Sequence, residues 1–414
     1  MNRVKFSQIA EFVAGQSPES KYYSSDPNSG VPFLQGNRTF GMFYPSFDTY
    51  TSKITKEAKK GDILMSVRAP VGDLNFAPCN LCIGRGLSAI RAKDGDNDFL
   101  FYALKYNIQN LIKQSSGTTF DSVNKDVVND MDMIIPEDKN SYGRISRLLR
   151  MLDDKIENNN KISSELEGLA KTIYDYWFLQ FEFPNEEGKP YKSFGGKMVY
   201  NEELKREIPE GWKVRSIKDC IEHINTGLNP RDNFVLNDKK EVKYITVKNL
   251  TTEGTLDFSG CDYISFKTKE LVNRRSQIQK GDILFASIAP LGRCYLIEET
   301  PKDWEINESV FSIRPDLDTI SAEYLYMFFM SDWFIKKAEH SSTGSVFSGI
   351  RVSVLEDTKI LVPDEVTTKR FSEKVSSIMN IKFNKEKENQ QLASLRDWLL
   401  PMLMNGQVAF KESL

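Results

Sequence analysis

The pentapeptide Lys60-Gly61-Asp62-Ile63-Leu64 returns as Lys280-Gly281-Asp282-Ile283-Leu284, 220 residues further along the chain. The match runs on, with MSVRAPVG (65–72) against FASIAPLG (285–292) and SGTTFDSVNKDVV (116–128) against TGSVFSGIRVSVL (343–355). VPFLQGNR (31–38) aligns with VKYITVKN (242–249), and Pro136 with Pro363. A period near 220 residues is far too long for a solenoid unit. It marks a whole domain built twice, so any fold proposed for one half must also serve the other.

Each copy leads into a helical stretch. From Ser141 to Phe178, apolar residues fall at Ile145, Leu149, Leu152 and Ile156, then at Ile162, Leu166, Leu169, Ile173 and Tyr176, mostly in alternating steps of three and four. That spacing is the seam of a long helix lying on a partner helix. At 1.5 Å per residue, about 36 residues span roughly 54 Å. The polar run Asn158-Asn159-Asn160 admits a break, and pattern alone also fits a core helix of a larger domain. A second such stretch carries Phe371, Val375, Ile378, Leu392, Leu395, Leu399 and Met402, with a polar centre KEKENQQ. Two helices with apolar ends and polar middles pair most simply side by side and antiparallel.

The chain therefore divides into a first module (1–140), a central long helix (141–180), a connector rich in Gly, Pro and charge (181–204), a second module (205–365), a C-terminal long helix (366–404) and a tail (405–414). Within the modules, short strand-like runs such as VPFL, DILMSV, LSAI and DMIIP alternate with turn clusters. One helix is predicted from a cap at Asp98, and its counterpart from Ser321.

Composition narrows the function classes. No stretch reaches the ~18 apolar residues of a membrane span. The first residues lack the order of a signal peptide, and five scattered cysteines fit reduced, cytoplasmic usage. The net charge of −3 argues mildly against bulk phosphate attraction, while leaving room for local basic faces. With only His223 and His340, a histidine-based triad or metal site has little to draw on. Cys79 and Cys82 form a single C-x-x-C with no second pair. Neither a P-loop nor a dinucleotide-binding glycine motif is present. No catalytic or metal-ligating set is assigned. The one enzymatic alternative is a Mg²⁺-dependent nuclease built on Asp232, Glu241 and Lys243; a coiled-coil adaptor without a DNA role is the other.

The ordered set KGDIL…APVG and KGDIL…APLG, IGRGLSAIR (83–91), SGTTFDSVNKDVV and LDDKIENNNKISSELEGLAKTIYDYWFLQFEFP (152–184) resembles the specificity subunits of type I restriction-modification enzymes, across essentially the whole chain. GKPYKSFGGKMVYNEELKREIPEGWKV (188–214) joins the halves. The second module departs from the pattern, reading INESVFSIR where the first has IGRGLSAIR. The resemblance implies an α/β chain of two tandem target recognition domains, each α+β in type, separated by two long helices. Those helices are expected to form an antiparallel coiled coil with pseudo-twofold symmetry. Each domain is expected to read one half of a split target in double-stranded DNA, and the coil to set the spacer. It further implies a non-catalytic subunit that binds no cofactor itself. Two modification subunits would bring S-adenosylmethionine for adenine-N6 methylation. Restriction subunits would bring ATP and Mg²⁺.

Such kinship does not name the bases read. From residue type and loop placement, the candidate DNA contacts in the first module are Gln16, Asn37, Arg38, Arg68, Arg85, Thr118, Thr119 and Lys125. In the second they are Asn225, Thr226, Arg231, Lys248, Asn249, Arg293, Ser345, Ser348 and Arg351. Frame residues agree between modules (Gly61/Gly281, Pro70/Pro290, Gly72/Gly292, Phe120/Phe347). Aligned loop residues disagree (Arg68/Ile288, Asp73/Arg293, Arg85/Glu308, Lys125/Val352), as expected of two readers on one scaffold.

Overall fold

A computed structural model describes residues 2–115, 123–341, 349–408 and 410. The expectations on Thr118, Thr119, Phe120, Ser345, Phe347 and Ser348 lie outside the described residues. The chain divides into two compact units, residues 1–158 with 388–414, and residues 159–387.

In the first unit a four-stranded antiparallel sheet is ordered Ala10–Ala14, Leu87–Ala92, Ile63–Ser66, Leu74–Phe76. Ile63–Ser66 is buried throughout, as a strand covered on both faces must be. A five-stranded sheet carries the parallel pair Val31–Leu34 and Leu81–Ile83. Asn2–Lys5 pairs antiparallel with Asp132–Ile135, which brings the two ends of the module together where the long helix departs.

The second unit repeats this plan. Its four-stranded sheet is ordered Ile221–Thr226, Val310–Pro315, Ile283–Ala286, Cys294–Leu296. The parallel pair is Val242–Ile245 with Trp304–Ile306, and Lys213–Ser216 closes on Lys359–Val362. The KGDIL segment is the turn that opens the third strand of each four-stranded sheet. Gly61 and Gly281 sit at φ 86° and 88°, a region glycine enters without steric cost. The aspartates next to them are 2% and 0% exposed. Asp62 takes Arg91 in two hydrogen bonds of 2.8 and 2.6 Å; Asp282 takes Arg314 in two of 2.8 and 2.9 Å. The repeated motif is thus a buried, bidentate clamp between neighbouring strands.

Side-chain caps start three of the remaining helices. The helix Asn97–Ser115 is capped by Asp96, whose carboxylate accepts the Phe99 N–H at 2.9 Å, two residues ahead of the expected Asp98. Ser321 caps Ala322–Phe329 as expected. There the helix stops, and Ser331 accepts the Phe334 N–H as a second helix begins at Asp332. The connector is less irregular than its composition suggests, since its Met198–Asn201 pairs antiparallel with Arg206–Pro209 at the start of the second module.

Both long helices are present. Tyr142–Tyr174 runs unbroken through Asn158–Asn160 and continues as a π-helical turn, Asp175–Leu179. The second is Glu365–Met404. Their seams differ from the apolar reading. The buried face of the first helix passes through Ile145, Leu149, Asp153, Ile156, Asn159, Ser163, Ala170, Tyr174 and Trp177, while Leu169 and Tyr176 are 49% and 40% exposed. The second buries Phe371, Val375, Met379, Lys382, Leu400 and Leu403, and leaves Leu395 44% exposed. Charged residues occupy seam positions because each finds a partner across the pair. In the first unit Arg396 donates to Asp153 at 2.6 Å; in the second Lys382 donates to Glu167 at 2.7 Å. Among the described residues, no helix is long and apolar enough to cross a membrane.

Candidate nucleic-acid interface

In each unit the turns that carry the candidate residues gather at one end of the strands of the four-stranded sheet. Backbone hydrogen bonds hold these turns together. In the first module Gly15 N–H donates to Leu87 O (3.0 Å), and Gln16 N–H to Ile83 O (2.9 Å). Gly84 N–H donates to Leu34 O (2.8 Å), Gly86 N–H to Gln35 O (3.1 Å), and Val67 N–H to Gly86 O (3.0 Å). Val123 N–H closes the cluster on Val67 O at 2.9 Å. The second module repeats three of these bonds with different side chains, and its Gly227 N–H shifts to another acceptor. Gly227 N–H donates to Asn307 O (3.2 Å), Asn307 N–H to Ile245 O (2.8 Å), Ser287 N–H to Ser309 O (3.0 Å), and Ile350 N–H to Ser287 O (2.8 Å).

The approach of backbone to backbone demands glycine in each cluster, at Gly15 and Gly86 in the first and at Gly227 in the second. A Cβ on Gly15 would lie 2.2 Å from Gly84 O, and one on Gly227 would lie 1.8 Å from Ile306 O. Both contacts are impossible for a real side chain. Neither glycine is singled out by the sequence motifs above. Their signal is Gly15-Gln16-Ser17-Pro18 against Gly227-Leu228-Asn229-Pro230, at an offset of 212.

The candidate side chains divide by what they already touch. Arg68, Arg85 and Lys125 are exposed on the first cluster, and Arg231, Lys248 and Arg351 on the second. Among the described residues none of these six cations has an ion-pair partner. Gln16 is exposed, with its backbone carbonyl taken by the Thr55 hydroxyl. Arg38 differs from the six: it is paired with Asp48, whose carboxyl it holds below the usual range.

The others are engaged within the fold. Asn37 Nδ2 donates to Asp73 Oδ2 at 2.5 Å. Thr226 Oγ1 accepts from Arg275 at 3.0 Å, and Asn225 reaches Ser276 O at 3.5 Å. Asn249 is 5% exposed; its amide oxygen caps Thr246, and its nitrogen donates to Asp257 O and to Cys261 Sγ. Arg293 turns inward, donating from one terminal nitrogen to Val247 O (3.4 Å) and Leu250 O (3.1 Å), while its buried Nε has no partner. Asn249 and Arg293, expected to be outward readers, are therefore in this structure braces of the loop that presents Lys248.

The nuclease alternative does not assemble. Glu241 caps a helix through the Phe266 N–H (2.8 Å), and Lys243 is paired with Asp303 (2.8 Å). Among the described residues no group of three His, Cys, Asp or Glu is placed to hold a metal ion. The five cysteines are free thiols, and burial pushes those of Cys220 and Cys261 up to about 11, far from nucleophilic use.

Comparison with known proteins agrees with this picture. The profile of the "Type I restriction modification DNA specificity domain" matches residues 1–168 and 209–394. The chain is 25% identical, over 99% of its length and 93% of the relative's, to the type I restriction enzyme MjaIX specificity subunit of Methanocaldococcus jannaschii. It is 26% identical, over 85% of its length and 88% of the relative's, to the HindI specificity subunit of Haemophilus influenzae. In fold it is similar to the crystal structure of a type I restriction-modification S subunit from M. genitalium. That match has a TM-score of 0.55 and 16% identity, over 99% of this chain and 96% of that one.

Proposed function

Because the chain belongs to the type I restriction modification DNA specificity family, we propose that it is the DNA-recognition subunit of a type I restriction-modification complex, with each module reading one half of a bipartite, asymmetric target. The observation that carries the two-reader reading is the duplicated loop cluster. One backbone frame, held by equivalent hydrogen bonds, presents Arg68, Arg85 and Lys125 in one copy and Arg231, Lys248 and Arg351 in the other. Cations on loops hold phosphates and guanine edges, and a change of side chain on a fixed frame changes what is read. The paired helix segments act as the ruler that sets the unread spacer. The chain performs no chemistry; two modification subunits supply S-adenosylmethionine and methylate adenine at N6, and restriction subunits supply ATP-driven, Mg²⁺-dependent cleavage. The complex works in the cytoplasm.

The test is the pattern of N6-methyladenine in cells with and without this gene. One split motif is expected to lose its methylation when the gene is removed. An unchanged pattern overturns the reading, as does cleavage of DNA by the purified chain alone with Mg²⁺ that is lost in Lys243→Ala.

A further inference from the structure

Asp73 and Arg293 occupy the same backbone position in the two modules. Ser66 N–H donates to Asp73 O at 2.9 Å, and Ala286 N–H donates to Arg293 O at 2.9 Å. Each residue comes just after the turn that contains Pro70 or Pro290. Each reaches the loop leaving the parallel strand of the second sheet. The roots of those two loops also correspond, since Leu34 O accepts the Gly84 N–H and Ile245 O accepts the Asn307 N–H, both at 2.8 Å. Three residues beyond each root stand Asn37 and Lys248.

The chemistry of the reach is reversed between copies. In the first module the Asp73 carboxylate accepts from the Asn37 amide at 2.5 Å. In the second the Arg293 guanidinium donates to Val247 O and Leu250 O, which bracket Lys248 and Asn249. Arg293 does this from a guanidinium whose Nε is buried without a protein partner among the described residues. Opposite charges doing one job at one position is what a tie between two loops allows. A residue selected to touch DNA phosphate could not be an aspartate in one reader and an arginine in the other.

We propose that Asp73 and Arg293 are latches: positioning residues that fix the loop at 35–38 and the loop at 246–250, so that each sets half-site specificity without touching DNA. This rests on the recognition role proposed above. It also predicts how recognition modules can be recombined. A loop graft that moves residues 35–38 without Asp73, or 246–250 without Arg293, separates a latch from its catch and loses discrimination.

The test uses the assembled methyltransferase complex on duplexes carrying a single wrong base pair in one half-site or the other. Asn37→Ala, Asp73→Ala and the double variant are compared, alongside Arg293→Met and Arg293→Lys. Each first-module single variant is expected to lose roughly tenfold in first-half discrimination. The double variant should lose no more than either single. Second-half discrimination, read on the same molecules, stays at the wild-type value and reports that the subunit is folded. Arg293→Met should do the mirror image, with partial recovery in Arg293→Lys.

Salt dependence separates a latch from a contact. A lost phosphate contact lowers the slope of log affinity on log salt by about 1, whereas loss of a latch leaves it unchanged. Additive losses in the double variant, a slope reduced by about 1 in Asp73→Ala or Arg293→Met, or undiminished discrimination overturns the proposal. If the wild-type complex itself shows no motif preference, it is the recognition role that fails.

Discussion

Asp153 and Arg396 meet at 2.6 Å inside the helix pair of the first unit, with the aspartate 1% exposed and taking a further hydrogen bond of 2.9 Å from the Tyr102 hydroxyl. In the second unit Glu167 and Lys382 meet across the helix segments in the same way, at 2.7 Å. Each contact favours the register of its own unit, because a one-turn slip would part the buried Asp153 from Arg396 and the buried Lys382 from Glu167.

Arg396→Met removes the nearest cation from the buried Asp153 carboxylate, leaving it Tyr102 at 2.9 Å and Lys105 at 3.9 Å. A loss of about 3 kcal/mol is expected in equilibrium urea denaturation of the full chain. The double variant Asp153→Leu/Arg396→Leu should recover part of that loss, since only Lys105, 3.9 Å from Asp153, is then left without its carboxylate. Equal loss in single and double variants would mean that the pair contributes packing rather than electrostatic register.

The clamps of the repeated motif are expected to differ in weight. Asp282 is fully buried, its Arg314 side chain is 15% exposed, and Ser312 adds a hydrogen bond of 3.3 Å. Asp62 holds an Arg91 that is 34% exposed. Asp282→Ala should therefore cost about 3 kcal/mol and Asp62→Ala about 2. Denaturation of the two variants under one set of conditions checks the order.

Glycine at the loop clusters should be irreplaceable by even the smallest side chain. Gly227→Ala drives a Cβ to 1.8 Å from Ile306 O, and Gly15→Ala drives one to 2.2 Å from Gly84 O. Each is expected to abolish recognition of one half-site, read as loss of discrimination at that half, while overall stability falls by about 1–3 kcal/mol. Wild-type discrimination in either variant would show that the close approach is dispensable.

Glu386 gives the second unit a pH dependence. Burial raises its carboxyl from 4.5 to about 7, with Glu167 and Glu298 adding to the rise and Lys382 opposing it. The folded carboxyl holds its proton where the unfolded one has lost it. Stability contributed at acid pH is therefore lost as pH rises from about 4.5 through about 7, to a total of about 3 kcal/mol. Denaturation midpoints from pH 5 to 8 should fall for the wild type and stay flatter in Glu386→Gln. Parallel curves for the two proteins would remove Glu386 as the cause.

The frame is legible in the sequence because it is written twice. Gly61 and Gly281, or Asp62 and Asp282, stand out since turn geometry and a buried ion pair admit few alternatives. The seam is not, for a physical reason. A search for apolar periodicity passes over Asp153, Ser163, Lys382 and Arg396; the three charged ones tolerate the interior because each has a partner on another segment. It favours Leu169 and Leu395, which face solvent. The candidate contacts rest on residue type, and type does not reveal direction. Lys248 points out and Asn249, its neighbour, is consumed by Thr246, Asp257 and Cys261.

The central claim, two independent readers on one frame, is tested most directly by exchanging residues 205–365 for the corresponding module of another specificity subunit and mapping methylated adenines in the cells that carry the chimera. The account predicts a new split motif in which one half is changed, the other is retained, and the spacer is unaltered. A motif changed in both halves, or a wild-type motif retained in full, would contradict it.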